Sequence, residues 1–508
     1  HGHGHGHGHG DGHDHGHGHG HGHGHGHGHG HGHGQASKPV LISSHFDSGN
    51  IEVVDASDPT GKGVLLNIRP DVYTELEKRA HMQWFHFKAS NVSDGTDGSA
   101  ATKFCIVNAG KCSFPDAWPG TTVCASYDRK EWFRVLDTTW DKDTGHLSWT
   151  WSRQAHPAAS TKGAFVWFAY FAPYSWERHL EFIGSISCSP LCEARVLGQT
   201  LDGRDLDLLV IGTGPTKVWV IHRQHPGESQ AEWFAEGLLE RLADRNDGLA
   251  RKLRDSCTFY VIPNMNPDGS VRGHLRTNAC GANLNREWTS TKDYDAPTLQ
   301  RSPEVFYTLQ EMDKTGVDLF VDVHGDEEIP MNFVSGMEGL PAWGPRLQAL
   351  QGAFVAAYER ANPDFQRAVS YEPEPPKEAN LAICSNQIAH RFNCLGMTLE
   401  QPFKDCATMP DPERGWTPRR CKDLGKSILG AIDHVRPYLR TQEPFWESMD
   451  SRDAYARPVE GTAHSTIPAR SAGHTYDEIQ AATHLDRQVA ETEELLTSLR
   501  SQRARLGE

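Results

Sequence analysis

The chain has 508 residues, of which 37% are hydrophobic, 9% aromatic and 23% charged. That apolar content excludes wholesale disorder, and at roughly 150 residues per domain the length suits about three domains. The formal charge is −16 and no long basic run occurs, so we expect no nucleic-acid partner. No apolar run reaches about 18 residues, so we expect no membrane span.

Residues 1–39 are predicted to form a disordered tail and linker. Histidine and glycine alternate almost without interruption over residues 1–34, which hold 16 of the 31 histidines and no apolar residue to bury. Imidazoles at every second position can bind transition-metal ions. Two interpretations stay open: an arm that buffers or delivers a metal, and a repeat expansion with incidental metal affinity.

Residues 40–171 are predicted to form an antiparallel β-sandwich domain. Short segments rich in aromatic and β-branched residues, among them 64–68, 83–87 and 165–171, are separated by turn-forming residues. Several short strands with regular breaks are typical of two packed antiparallel sheets.

Residues 172–440 are predicted to form an α/β domain. Strand-like apolar runs alternate with amphipathic helical segments there, which indicates a largely parallel or mixed sheet flanked by helices. The predicted strands are 206–212, 218–221, 259–263, 319–323 and 396–399, and the predicted helices include 230–244, 302–312 and 347–359.

The C-terminal part is predicted to continue beyond the α/β domain. Residues 441–475 are polar and rich in structure-breaking residues, which is typical of a linker. Residues 476–508 are predicted to form a helix, because apolar residues recur at heptad spacing over 476–505. That helix can form a coiled coil with a partner or a second copy, or it can pack back on its own domain.

The cysteines indicate a reducing compartment. There are 11, an odd number, and no CxxC pair occurs among them. A secreted disulfide scaffold is shorter and denser in cysteine, so we interpret them as reduced thiols and expect a cytoplasmic protein.

Three predicted strands run directly into a histidine or a carboxylate. His225 and Glu228 follow the second predicted strand, His324 follows the fourth, and Glu400 follows the fifth. Functional sites of open α/β sheets form beyond the carboxyl ends of the strands, so these segments can converge. Two histidines and a glutamate are a known catalytic zinc set that leaves a position for water, from which Glu400 can take a proton. Each motif alone is a weak signal, because HxxE often arises by chance.

A longer series of motifs resembles the M14 zinc carboxypeptidases, and within them the cytosolic carboxypeptidase subfamily. The motifs, in the family's order, are His225-Pro226-Gly227-Glu228, Asn266-Pro267-Asp268-Gly269, Leu284-Asn285-Arg286, His324-Gly325 and Thr398-Leu399-Glu400. Segments 46–50, 84–87 and 170–174 resemble the N-terminal sandwich that marks the subfamily. The resemblance covers about residues 40–438. It implies one zinc ion per catalytic domain and peptide or protein C-termini as substrates.

The resemblance also implies a role for each site residue. The family's zinc ligands correspond to His225, Glu228 and His324, and its general base corresponds to Glu400. Arg276 matches the arginine that polarises the scissile carbonyl, where a guanidinium stabilises the developing oxyanion. Asn285 and Arg286 match the pair that holds the substrate's terminal carboxylate, which suits the planar guanidinium fork. Arg223 and Asp326 flank the ligands and are candidates to orient them.

Two departures from the family pattern leave substrate specificity open. Deglutamylating members carry an arginine upstream of the general base, and an ungapped count places that position at Ser385. Lys377 and Arg391 are the nearest basic candidates in sequence. The family's mobile active-site tyrosine has one weak candidate, Tyr371.

Three functions are therefore considered. The first is a zinc metallocarboxypeptidase, with a deglutamylase-like enzyme as its finer form. The second is a zinc amidohydrolase of the aspartoacylase type, which acts on N-acyl amino acids that also present a carboxylate to Asn285 and Arg286. The third is a non-catalytic metal-binding scaffold. The large N-terminal sandwich favours the first over the second, and retention of Glu400 beside the ligands argues against the third.

Overall fold

The structure, a computed structural model, describes residues 39–462 apart from 59–60, 62, 96–99 and 152–164. The predicted His-Gly tail and the predicted C-terminal helix lie outside these residues and stay predictions. The two domains described below both belong to the unit of the chain that begins at Pro39.

Two five-stranded sheets build the N-terminal domain. Their strands are β1 (Leu41–Ser43), β2 (Glu52–Asp55), β3 (Val64–Asn67), β4 (His86–Ser90), β5 (Lys103–Ile106), β6 (Val123–Ser126), β7 (Phe133–Val135), β8 (Thr138–Asp141), β9 (His146–Thr150) and β10 (Phe165–Ala169). The strand orders are β1-β4-β10-β6-β7 and β2-β3-β5-β9-β8. Neighbouring strands run antiparallel, except that β3 and β5 are parallel. The predicted sandwich is confirmed, with one parallel pair that was not predicted.

Aromatic side chains fill the space between the two sheets. Phe87 and Phe168 point inward from one sheet. Phe104 and Trp149 meet them from the other, with ring centroids 4.9 Å and 5.4 Å from that of Phe168. Alternate residues of a strand face opposite sides, so one row of each sheet is buried in this contact and holds the sheets face to face.

The predicted strand at 83–87 begins later, at His86. The side-chain amide of Gln83 donates to the carbonyl oxygen of Phe114 and accepts from its N–H, both at 3.1 Å. This residue is therefore tied to a turn rather than to the strand ladder, although its apolar neighbours have the composition of a strand.

A seven-stranded mixed sheet forms the centre of the second domain. The strands of this domain and its C-terminal extension are β11 (Cys192–Gln199), β12 (Asp205–Ile211), β13 (Thr216–His222), β14 (Cys257–Ile262), β15 (Leu319–Val323), β16 (Phe333–Ser335), β17 (Val369–Ser370), β18 (Leu395–Glu400) and β19 (Val459–Glu460). The order is β11-β12-β14-β13-β15-β18-β16. The four strands from β14 to β18 are parallel, and β11, β12 and β16 pair antiparallel at the edges.

Helices cover both faces of this sheet. They are α1 (Trp176–Ser187), α2 (Gln230–Leu242), α3 (Gly248–Ser256), α4 (Pro267–Arg272), α5 (Pro303–Thr315), α6 (Pro345–Ala361), α7 (Cys384–Phe392) and α8 (Pro418–Val435). Val218 and Val220 of β13 pack in the cluster that contains α2, α3, α6 and α8, whereas Trp219 and Ile221 pack with α5 and α7. Burial on both sides explains why this strand is a continuous apolar run. All five predicted strands and all three predicted helices occur, with small shifts of their ends.

The described part of the predicted linker, 441–462, lies against the catalytic domain. Asp453 accepts a hydrogen bond from His434 Nε2 at 2.6 Å and forms an ion pair with Arg360 at 2.9 Å. The Tyr455 hydroxyl donates to Glu338 Oε1 at 2.9 Å, and β19 pairs with β17. The polar residues that give this segment the composition of a linker therefore also hold it against the catalytic domain.

Two buried cations join the two domains by donating to main-chain carbonyl oxygens. Arg134 of β7 donates to the carbonyl oxygens of Phe403 and Trp416, both at 2.8 Å. In return, Lys404 donates to two carbonyl oxygens of segment 117–119 at 3.1 Å and 2.9 Å. Both side chains are almost fully buried, so each domain satisfies main-chain acceptors of the other.

All 11 cysteines lie in the described part of the chain and are free thiols. Among the described helices, none combines the length and the apolar character that crossing a bilayer requires.

Candidate metal centre and substrate cavity

The ends of adjacent parallel strands bring the predicted metal ligands together. His225 and Glu228 lie in the loop after β13, and His324 directly follows β15, which is the parallel neighbour of β13. The potential ligand atoms of the three side chains lie within 4.8 Å of one another, and all three residues are buried. The order of the strands in the sheet therefore brings His225 and His324, which are 99 residues apart in sequence, into contact.

The hydrogen bonds around the two imidazoles suit a cation. The Nδ1 atoms of His225 and His324 lie 3.2 Å apart, and they lie 2.7 Å and 2.9 Å from the two oxygens of Glu228. On the far sides of the rings, His225 Nε2 is 3.1 Å from Asn283 Oδ1 and His324 Nε2 is 2.7 Å from Asp322 Oδ2. With these oxygens beside the Nε2 atoms, both Nδ1 atoms face the carboxylate of Glu228.

The electrostatics agree with this geometry. Burial lowers the pKa of His225 to about 3, which keeps that ring in the neutral form that binds metals. Burial also lowers the pKa of His324, but the carboxylates of Asp322 and Glu228 outweigh burial and raise it well above its ordinary value. The cluster thus attracts one positive charge, which a proton or a metal ion can supply, and the residues present fit a divalent metal.

A buried arginine holds the loop that carries His225 and Glu228. Arg223 has a left-handed backbone conformation, with φ at 58°, and its Nε donates to the carbonyl oxygen of Pro226 at 2.9 Å. Its Nη1 donates to Glu232 Oε2 of α2 at 2.7 Å. A non-glycine residue persists in this conformation only where its surroundings fix it, as these contacts do.

Glu400 ends β18 and lines the same cavity as the metal cluster. Among the described residues, its Oε2 has no hydrogen-bond partner although it is buried. Burial raises the pKa of Glu400 well above its ordinary value. Tyr371 also lines the cavity, and its hydroxyl donates to Asp326 Oδ2 at 2.7 Å. Asp326 therefore orients this tyrosine.

Arg276 lines the cavity from a loop that the N-terminal domain fixes. Asn266 caps α4, and the helix ends at Gly273, whose φ of 72° turns the chain into this loop. The buried carboxylate of Asp71 accepts hydrogen bonds from the N–H groups of Leu275, Arg276 and Thr277 at 2.6 Å, 2.9 Å and 2.9 Å, and from the Thr277 hydroxyl at 3.0 Å. Sequence reasoning missed Asp71, because an acidic residue beside a proline carries no signal of such a contact.

Asn285 and Arg286 lie in the short 3-10 turn Leu284–Arg286 on the same side of the cavity. The side-chain Oδ1 of Asn285 accepts from the N–H of Cys384 at 2.9 Å, which fixes the orientation of the side chain. Burial, together with the nearby guanidinium of Arg276, lowers the pKa of Arg286 to about 10, so it stays charged at neutral pH. Arg79, an exposed residue of the N-terminal domain that was not predicted, lines the cavity as well.

The cavity measures about 460 Å³, and Ser385 is among the residues that line it. Ser385 Oγ and Thr398 Oγ1 lie 2.9 Å apart in a hydrogen bond, and both residues are buried. Arg391 instead pairs with Asp313 at 2.6 Å, away from the cavity, and Lys377 is exposed and does not line it. Neither Lys377 nor Arg391 therefore supplies a cation to the part of the cavity around Ser385.

Known proteins resemble this chain over both domains. The family described as cytosolic carboxypeptidase N-terminal domain matches residues 42–171, and the zinc carboxypeptidase family matches residues 181–385. The second match includes every predicted site residue except Glu400. An uncharacterized protein of Zymomonas mobilis is 43% identical over 391 residues, which are 77% of this chain and 95% of that protein. Mouse cytosolic carboxypeptidase 3 is 30% identical over 59% of this chain, but the match covers only 30% of the mouse protein.

Two solved structures agree with these matches. A metallo-carboxypeptidase from Pseudomonas aeruginosa, in complex with (2-guanidinoethylmercapto)succinic acid, is 40% identical, with a TM-score of 0.71 over 79% of this chain and all of that one. A metallo-carboxypeptidase from Burkholderia cenocepacia is also 40% identical, with a TM-score of 0.70 and the same coverage. This chain therefore belongs to the M14 zinc carboxypeptidases, in the branch with the cytosolic carboxypeptidase N-terminal domain, and is a metallocarboxypeptidase.

Proposed function

We propose that this protein is a zinc-dependent carboxypeptidase that removes amino acids one at a time from the C-termini of peptides or proteins. The carrying observation is one cavity that holds three convergent metal-ligand side chains, the buried carboxyl group of Glu400 and three arginine side chains. One oxygen of Glu400 has no hydrogen-bond partner among the described residues. A metal site, a proton carrier and carboxylate-binding groups are the parts that hydrolysis of a terminal peptide bond requires.

We assign the metal to His225, Glu228 and His324. Two imidazole nitrogens and one carboxylate, with second contacts at Asn283 and Asp322, are a typical catalytic zinc set. Zinc bound there supplies a Lewis acid that polarises a carbonyl group and makes a water molecule more acidic.

We assign the proton transfers to Glu400. Its carboxylate takes a proton from the attacking water as the water oxygen bonds to the carbonyl carbon. When the carbon–nitrogen bond breaks, the same group gives the proton to the leaving amine.

We assign the substrate contacts to the arginine-rich side of the cavity. Arg276 lies near His225, where a guanidinium stabilises negative charge that develops on the carbonyl oxygen. Asn285 and Arg286 hold the terminal carboxylate of the substrate. The ligand of the Pseudomonas aeruginosa relative joins a dicarboxylic acid to a guanidino group. Carried over to this chain, it supports a cavity that binds a carboxylate at one end and accepts a cation at the other.

The finer deglutamylase-like hypothesis needs a cation for the side chain of a terminal glutamate. With Arg276 and Arg286 assigned to the main chain of the substrate, Arg79 is the remaining arginine among the described residues that line the cavity.

We also propose a cytoplasmic location, which the 11 free cysteines support.

The test uses the purified full chain and peptides that differ only in their last residue. We expect release of the last amino acid, loss of release after treatment with a chelator, and recovery on addition of zinc. Glu400→Gln is expected to lower kcat by about 10³-fold, the scale of a lost general acid–base. Glu378→Gln, a change of an exposed acid in a nearby loop, is the matched control.

Activity is the readout because the histidine-rich tail can bind metal independently of the site. Cleavage of N-acyl amino acids without trimming of any peptide would indicate the aspartoacylase-type enzyme instead. Metal binding without hydrolysis of either substrate class would indicate the scaffold.

A further inference from the structure

We propose that the cavity selects substrates whose last residue carries a cationic side chain, lysine or arginine. This inference rests on the proposed carboxypeptidase function and names its substrate class. Its basis is a pair of carboxylates, Glu338 and Glu374, which line the cavity together with Ser385 and form no ion pair with any described residue.

The sheet register places the part of the cavity lined by Glu338, Ser385 and Thr398 deeper than the general base Glu400. β16 runs antiparallel to β18, with Phe333 opposite Glu400 and Ser335 opposite Thr398. The chain continues from Ser335 to Glu338, and therefore leads away from Glu400. Thr398 lies two residues before Glu400 on the same face of β18 and bonds to Ser385. Both hydroxyl residues and Glu338 line the cavity.

Glu338 is a half-buried carboxylate held by neutral donors. Its Oε1 accepts from Gln351 Nε2 at 2.8 Å and from the Tyr455 hydroxyl at 2.9 Å. The Gln351 side chain passes over Gly336 to reach Glu338. A Cβ at position 336 would lie only 2.0 Å from the Gln351 amide nitrogen, so a side chain there would block this path. These contacts hold the carboxylate in place without neutralising its charge.

Glu374 is a second carboxylate of the same kind and is adjacent to the first. A Cβ on Gly339 would lie 2.7 Å from the Cβ of Glu374, so Glu374 packs against the residue that follows Glu338. Its two oxygens accept from the N–H of Asn380 at 2.9 Å and from Asn386 Nδ2 at 2.7 Å. Asn386 follows Ser385, so the wall is continuous from the carboxylates to the hydroxyl pair.

Among the described residues, no lysine, arginine or histidine forms an ion pair with Glu338 or Glu374. Arg286 interacts with Glu374 electrostatically but is not within ion-pair distance. Carboxylates in a confined cavity without a counter-ion favour a cationic ligand and disfavour an anionic one.

A C-terminal lysine or arginine matches both the positive and the negative groups that line the cavity. Its terminal carboxylate meets Asn285 and Arg286, its scissile bond faces Glu400, and its side chain extends towards Glu338, Glu374 and the hydroxyl pair at Ser385. A C-terminal glutamate would instead bring a third carboxylate to this wall, and like charges at close range are mutually destabilising.

The experiment measures kcat/KM for peptides that are identical except for a last residue of Arg, Lys, Gln, Leu or Glu. For the full chain we expect Arg and Lys to exceed Gln and Leu by about tenfold or more, and Glu to be the poorest. Glu338→Gln and Glu374→Gln each keep the side-chain shape and remove the charge. Each is expected to lower the values for Arg and Lys by about tenfold, mainly through KM, while Leu changes by no more than about twofold. The double variant is expected to lose the preference.

Glu378→Gln makes the same change of charge in the loop that carries Glu374, without touching the cavity, and is expected to keep the wild-type preference. A wild-type preference for Leu or Glu, or an equal loss for all five peptides in the Glu338 and Glu374 variants, would overturn the inference and leave the carboxypeptidase proposal standing. Absence of trimming for every peptide would overturn both.

Discussion

The two domains contribute to one cavity in different ways. In the catalytic domain, His225, His324 and Glu400 stand at or just beyond the ends of neighbouring strands, so the sheet itself fixes their positions. Arg276 stands on a loop that follows α4, and Asp71 of the N-terminal domain accepts four hydrogen bonds from that loop. The side chains at the strand ends are therefore positioned by the catalytic domain itself. Arg276, which lies on a loop, is positioned by hydrogen bonds to the N-terminal domain.

Within this comparison of the two domains, removal of the Asp71 brace has the largest expected effect on activity. Asp71→Asn replaces two acceptor oxygens with one acceptor and one donor, and the donor faces N–H groups. We expect kcat/KM to fall by about 10- to 100-fold, because a displacement of about 1 Å in a catalytic group is this costly. The loss is expected mainly in kcat, since Arg276 acts on charge that develops in the transition state.

The control for this prediction is Asp116→Asn, a change of an exposed acid in the same domain. In an Arg276→Gln background, Asp71→Asn is expected to cost much less than it costs in the wild type, because the group it positions is absent. Equal losses in the two backgrounds, at temperatures where both variants stay folded, would show that Asp71 acts only on stability.

At the joint between the domains the expected effect is on stability rather than on activity. Arg134→Met removes the donor for the carbonyl oxygens of Phe403 and Trp416 and leaves both without that partner in a buried place. We expect the free energy of unfolding to fall by about 3 kcal/mol in denaturant titrations, on the scale of unsatisfied buried acceptors. Arg419→Met, at a side chain that is 91% exposed, should change it by less than about 0.5 kcal/mol. Comparable losses in the two variants would contradict the importance of this joint.

A pH-dependent effect on stability is expected at the internal brace of the metal loop. His179 of α1 lies 2.6 Å from Glu232, which in turn holds Arg223, and 2.9 Å from Asp207. Burial lowers the pKa of His179, but hydrogen bonds to Asp207 and Glu232 outweigh burial and raise it from 6.5 to about 9. A folded-state pKa above the unfolded value contributes stability that is full below pH 6.5 and is lost as the pH rises through about 9.

His179→Gln should therefore lower the free energy of unfolding most at pH 6, and the difference from the wild type should shrink by pH 9.5. Unfolding measured at several pH values tests this, with His390→Gln, at an exposed histidine, as the control. A difference that stays constant across this range would show that His179 contributes by packing alone.

Local patterns were sufficient for the strands and for the metal-ligand motif. A strand buried on both faces must be continuously apolar, which is why β13, β15 and β18 were predictable within a few residues. His225 and Glu228 are three residues apart in one loop, so their contact is a local property of that loop. The parallel pairing of β3 and β5 was not predictable, because alternation of apolar residues is the same in parallel and antiparallel strands.

By itself, the sequence determined the order of elements, the residues at the carboxyl ends of the strands and the family to which they point. Only the tertiary structure decided which residues share the cavity with them. Asp71 meets Leu275 across 204 residues, and Tyr371 meets Asp326 across 45. The two carboxylates that line the cavity beside Ser385, those of Glu338 and Glu374, likewise come from separate segments. Contacts of this kind leave no local pattern, because they form only when the folded sheet and the second domain bring distant segments together.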